Sequence, residues 1–108
     1  MDVLPLLVVE LGVPAAGEEA WNRWYHEEHI PDVLRSVDGV VRSRRYRLVA
    51  GQDQYKYLVH HEFESVEKLR AYHGSTQVEG RWGDYERQWG LPALWQRRAF
   101  EPIYSQER

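Results

Sequence analysis

Two hydrophobic periods take turns along this chain, and their order leaves few folds open. Val3 to Leu11 is a near-continuous apolar run of strand length, the pattern of a central strand. Pro5 lies near its start, where one missing ladder donor is tolerated. Glu18 and Glu19 then place acid in the first turn of a helix, at its positive end. Trp21, Trp24, Tyr25, Glu28 and His29 follow at i, i+3, i+4, i+7 and i+8, which is one helical stripe. Pro31 has no N–H to give Glu27 and turns Ile30 away from helical angles, so the helix is predicted to end or kink beside His29. A further turn with Val33, Leu34 and Val37 follows, with Pro31 at its first position.

Asp38-Gly39 is a turn signal. Val40 to Ala50 reads as a second strand and residues 51–54 as a hairpin loop. Tyr55 to Glu64 alternates strictly: Tyr55, Tyr57, Val59, His61 and Phe63 share one face, and Lys56, Leu58, His60, Glu62 and Glu64 the other. Ser65 caps a second helix bearing Val66, Leu69, Tyr72 and His73, which Gly74 closes. Val78, Trp82, Tyr85 and Trp89 have helical spacing, but Gly80 and Gly83 each cost about 1 kcal/mol in a helix interior, so the expectation is a short, imperfect helix or a structured excursion. Pro92 precedes a last strand from Leu94 to Tyr104.

The order β-α-β-β-α-β is the split βαβ of ferredoxin-like folds: α+β, a single domain over residues 1–108, with a four-stranded antiparallel sheet and helices on one face. The other face is open. Lined with Tyr, Val and Phe, it needs a cover, and a second copy of the chain is the simplest one.

Composition narrows the function. A net charge of −3 disfavours nucleic acid, whose phosphates need a basic face. With no cysteine there is no disulfide, thiolate nucleophile or cysteine-held metal. No apolar run reaches the roughly 18 residues of a membrane span, and Leu4 to Val9 lacks the basic flank of a secretory signal, so a soluble cytoplasmic protein is expected. Aromatic residues make up 13% of the chain, with five Trp, which is consistent with either a thin core of large side chains or a pocket for a flat ligand.

The chemical groups can be ranked. His29 leads, because it ends the aromatic stripe where the helix breaks, and an imidazole among aromatics suits general acid/base work. Glu28 flanks it. His26-Glu-Glu-His29 spaces its histidines three apart, not the four of the zinc motif His-Glu-x-x-His, so no metal is expected. His61 and Tyr57 lie four apart on one strand face and could bracket a cavity or fill a dimer seam. Arg42, Arg44, Arg45 and Arg47 crowd one strand; Arg45 or Arg47 would pair with Glu10 or Glu62, or hold a substrate carboxylate or enolate. Trp82, Tyr85 and Trp89 form either core or the wall of a pocket.

The segment from Trp21 to Pro31, with Val37-Asp-Gly-Val-Val, Arg44-Arg-Tyr-Arg-Leu48 and Phe63 to Tyr72, resembles the EthD-like branch of the dimeric α/β-barrel superfamily. The resemblance implies a homodimer with sheets face to face and a pocket in each protomer between sheet and helices. The similar polyketide cyclases use a Tyr and a His near the second helix, which implicates Tyr72 and His73, although His73-Gly-Ser lacks their His-Pro pair. No phosphate loop or dinucleotide fingerprint is present. The expected function is therefore cofactor-independent acid/base chemistry, as a cyclase, isomerase, dehydratase or related lyase, on a small aromatic or polyketide-like carbonyl compound. His29 is the expected base, with Tyr25, Tyr57 or Tyr72 as proton donor and Trp21, Trp24, Trp82 and Trp89 as walls. The alternatives are cofactor-free oxygenation of a hydroquinone-like substrate, haem ligation by one of the five histidines, and a non-catalytic dimer that binds an aromatic ligand.

Overall fold

A computed structural model describes residues 3–14, 17–89 and 95–108. Strand β1 (Leu6–Leu11) leads into α1 (Glu18–Trp24), a π-helical turn (Tyr25–His29) and α2 (Ile30–Ser36). Strands β2 (Val40–Arg47) and β3 (Tyr57–Phe63) form a hairpin, then α3 (Val66–His73), α4 (Thr76–Trp89) and β4 (Trp95–Phe100) complete the chain. The sheet order is β2-β3-β1-β4 and every neighbouring pair is antiparallel. This is the ferredoxin-like arrangement, with the most apolar strand, β1, in the interior of the sheet.

Pro31 does not end the first helix. The chain widens into one π turn, in which the Ile30 N–H donates to the Tyr25 carbonyl five residues back, and α2 continues with Pro31 in its first turn. The wider turn takes up the proline where it cannot donate to Glu27. Ser65 Oγ accepts from the Lys68 N–H at 3.2 Å, the cap read from sequence. Helix α4 is longer than expected, at 14 residues. A side chain at Gly80 would meet nothing and one at Gly83 only Arg87, so the glycines lie away from the packed side, while Val78, Trp82 and Tyr85 are buried. Strand β4 stops at Phe100 rather than Tyr104. Pro92 and Leu94 lie outside the described residues.

The face expected to be open is the covered one. Tyr57, Val59, His61 and Phe63 are all buried and face the helices with Leu7, Val9 and Leu11. Alternation separates two faces without saying which one packs, and the helices took the more aromatic face. The open face instead carries Leu6, Val8 and Glu10, Leu58, His60 and Glu62, and Arg42, Arg44 and Tyr46. Two ion pairs cross its strands: Arg42 with Glu62, and Arg98 with Glu10. That disposes of the expectation that Arg45 or Arg47 pairs with either glutamate. Under the helices, Trp21, Tyr25, Phe63, Leu69 and Tyr85 fill the core. The Trp82 and Trp95 rings stack at 4.4 Å and pin the start of β4 to α4.

Candidate active site

The π turn fixes His29. Its ring stacks on Trp24 at 4.8 Å and meets Tyr25 edge-on at 4.8 Å, and only 8% of the residue is exposed. The part that remains open lines a cleft of about 320 Å³ between this helical segment and α4. Trp24, Glu28, Asp32 and Arg35 form one wall; Arg81, Asp84, Tyr85 and Gln88 form the other. Single π turns concentrate at functional sites because they displace side chains from the regular helical register.

One ion pair bridges the two walls of the cleft. Arg81 Nη1 donates to Asp32 Oδ2 at 2.6 Å and Nη2 to Ser36 Oγ at 2.9 Å. The pairing holds the Asp32 carboxyl below the usual carboxylate range. Burial, and then the Arg81 charge, lower the His29 pKa to about 4, so at neutral pH the imidazole is uncharged and can accept a proton. Burial pushes the Tyr85 phenol up to about 12, which leaves it a neutral donor. Its oxygen accepts from Trp21 Nε1 at 3.0 Å, which holds the hydroxyl against the wholly buried indole.

The other sequence candidates fall around this cleft rather than in it. Trp21 is wholly buried and supports Tyr85 from behind. Tyr25 is wholly buried too, and its hydroxyl has no partner among the described residues; burial raises its pKa. The Tyr57 hydroxyl donates to Glu18, at the far end of α1. His61 meets Ser43 Oγ through Nδ1 at 2.7 Å, and burial, followed by the His29 charge, lowers its pKa to about 3. Tyr72 is buried beside Arg81, with a raised pKa due first to burial. His73 closes α3 with Nδ1 buried and unpartnered among the described residues. Trp82 is buried between Tyr85 and Trp95, and Trp89 packs on Trp24 at 5.7 Å.

Arg45 lies in a different place. It borders a hollow of about 250 Å³ with Asn22, His26, Tyr46, Arg47 and Tyr57. Sequence reading missed Asp32 and Arg81 altogether. The available signal was a second stripe on α4, with Arg81, Asp84, Tyr85 and Gln88 at i, i+3, i+4 and i+7, beside the apolar stripe that was read. Among the described residues no group of three or more His, Asp or Glu is placed to hold a metal ion, and no helix is long and apolar enough to cross a membrane.

Residues 6–98 match a family model described as a domain of unknown function, DUF4286. The chain belongs to that family. Its fold is the EthD-like one of the dimeric α/β-barrel group. An ethyl tert-butyl ether D (EthD) family protein from Bacillus halodurans superposes with a TM-score of 0.68 at 16% identity, over 94% of this chain and 100% of that one. HapK from Hahella chejuensis gives 0.67 at 15% identity, over 97% and 98%. The heme-degrader MhuD from Mycobacterium tuberculosis, with two hemes bound in its active site, gives 0.60 at 23% identity, over 95% and 99%. None of the curated proteins matches the chain significantly. At these identities the structural likeness establishes the fold and leaves the chemistry to the site.

Proposed function

We propose that this DUF4286 protein is an enzyme that moves a proton on a small aromatic or polyketide-like carbonyl compound bound in the His29 cleft. The observation that carries this reading is the neutral His29 imidazole held at a π turn, with one edge on a cleft that is also lined by the Tyr85 ring and the Arg81 guanidinium. His29 takes the proton from a carbon beside the carbonyl. The electron pair moves onto the carbonyl oxygen, where the Arg81 guanidinium stabilises the developing charge. Trp24, already stacked on His29, offers an aromatic wall beside the base. Return of the proton to a different atom gives isomerisation; loss of a leaving group gives a lyase or dehydratase outcome; attack on a second carbonyl gives cyclisation.

No cofactor takes part in that scheme. The haem of the MhuD structure does not fit the His29 cleft. The cleft of about 320 Å³ is near the lower limit for drug-sized ligands, roughly 300 Å³. His29 is flanked by Trp24 and Tyr25 rather than presented as an axial ligand. The open sheet face, with Leu6, Val8, Leu58 and the half-exposed Tyr46 and Phe100, supports a homodimer formed sheet to sheet.

A second reading rests on the same histidine. An imidazole with a pKa near 4 is a weak base, and a ligand carrier walled by Trp24 and Tyr85 needs no base at all. Deuterium exchange at the acidic carbon of aryl 1,3-diketones separates the two readings. The enzyme reading expects exchange by the wild type, a loss of about 100-fold or more in His29→Asn, and ligand affinity nearly unchanged by Trp fluorescence. Saturable binding without exchange in the wild type would overturn catalysis in favour of the carrier.

A further inference from the structure

We propose a second ligand site, separate from the His29 cleft, that binds a small carboxylate through Arg45. It lies where the outer edge of the sheet meets the first helix. Strand β2 is an edge strand, and Arg45 reaches from it beneath α1, where its guanidinium carbon lies 5.0 Å from the Trp21 ring, 4.3 Å from Tyr25 and 5.0 Å from Tyr57. Its Nη1 donates to Asn22 Oδ1 at 2.7 Å and lies 3.1 Å from His26 Nε2. Three rings, the Asn22 amide oxygen and a His26 ring nitrogen therefore hold the cation in one orientation.

No carboxylate answers it. The other two guanidiniums that lie largely inside are each ion-paired, Arg81 with Asp32 and Arg97 with Glu79. Arg45 forms no ion pair among the described residues, and its Nε and Nη2 are buried without acceptors. Burial disfavours its charged form. The adjoining hollow of about 250 Å³ adds a second guanidinium, Arg47, and is lined by no acidic side chain. In a chain of net charge −3 this concentration of unanswered positive charge is a local construction rather than a general bias. A fixed guanidinium with a neighbouring amide and a second cation is the donor set that recognises a carboxylate. The volume lies below the roughly 300–1,000 Å³ typical of drug-sized ligands, so the occupant is about one ring in size. Tyr57, whose ring borders the hollow, favours a flat, aromatic acid.

The test is a titration of isotope-labelled protein with benzoate and with benzamide, followed through the Asn22 side-chain amide and the Trp21 indole resonances. Benzoate is expected to saturate these shifts and to bind about tenfold or more tightly than the uncharged benzamide. Arg45→Gln removes the anchor and should cost about tenfold or more, while Arg47→Gln, at the exposed rim, should cost only about threefold. Asn22→Asp guards against a variant that fails to fold. It places a carboxylate where Oδ1 already accepts from Arg45, so the melting temperature should hold or rise while benzoate affinity falls by about tenfold or more. Equal affinity for benzoate and benzamide, unchanged benzoate binding in folded Asn22→Asp, or shifts confined to Trp24 and His29 would each overturn the second site. His29→Asn should leave benzoate binding intact, so the proton-transfer reading and this one fail independently.

Discussion

His29 in the cleft and Arg45 at the hollow both pack on the Tyr25 ring, and the two sites differ in how their cations are answered. In the cleft, Arg81 is neutralised by Asp32 and tied to Ser36. The carboxylates of Glu28, Asp32 and Asp84 outnumber the two guanidiniums there. In the hollow, two guanidiniums line a space with no acid, and among the described residues Arg45 meets only ring faces, the Asn22 amide oxygen and a His26 ring nitrogen. The same residue types thus give two kinds of site. In the cleft, burial leaves a neutral imidazole beside a cancelled cation, whereas the uncancelled cation of the hollow waits for an anion.

The largest expected effect tests whether the cleft histidine is held neutral. His29 falls from its ordinary 6.5 to about 4, and His61 behind it to about 3. Both folded values are depressed, so the unfolded chain takes up these protons first. Stability is therefore full above pH 6.5 and is lost as pH falls towards 4 and then 3. Each pH unit between the unfolded and folded values is worth about 1.4 kcal/mol, so His29 alone accounts for about 3 kcal/mol of acid destabilisation. Urea unfolding at pH 7 and pH 4.5 should show a smaller acid loss in His29→Asn, and smaller again when His61→Asn is added. An unchanged pH slope in the double variant would mean that neither ring is held neutral.

The next effect would make the cleft resemble the hollow. Asp32→Asn strips Arg81 of its counter-ion, and because Asp32 is half exposed the cost is only about 1 kcal/mol after solvent screening. Asp32 also holds the His29 pKa up, so the variant should lower it further, read from the ring resonances by NMR. The altered cleft should then gain affinity for benzoate. If it does not, the contrast in charge is not what separates the two sites.

Much of the fold was legible because it is written in periodicity. The alternation of β3, the Trp21–His29 stripe and the Ser65 cap each follow from a local rule. What was not legible depends on tertiary partners. Tyr57, Val59, His61 and Phe63 were read as one face correctly, but only the helices' own packing decides that this face is covered. Pro31 marked the irregularity at His29 without revealing that a π turn would carry the helix through it. Asp32 and Arg81 stand 49 positions apart, and no spacing rule joins them. Arg45 stood out in the sequence as one of four crowded arginines. That it alone among them would reach three rings beneath α1 depended on Trp21 and Tyr25 arriving from another element.

Tyr25 separates the regions, and its hydroxyl serves neither: it is buried and unpartnered among the described residues. Tyr25→Phe keeps the ring against His29 and under Arg45 while removing the stranded group, so a gain of about 1 kcal/mol in stability is expected. For a domain of this size that raises the melting temperature by about 4–8 °C. A loss instead would show that the hydroxyl is satisfied, by water or by a ligand reaching in from one of the two sites.

The smallest effect belongs to Arg42→Gln, which also bears on what covers the open face. Arg42 and Arg45 share a strand, but Arg42 points to the open side, is half exposed and pairs with Glu62. Exposed pairs are weak and screened by salt, so the variant should melt within about a degree of wild type at roughly 0.15 M salt, the least change of the set. The comparison with Arg45 then turns on burial rather than on residue type. A large loss that grows as the protein is diluted would give a different answer: the Arg42–Glu62 pair would be buried under a second copy, and the sheet-to-sheet dimer would be holding it.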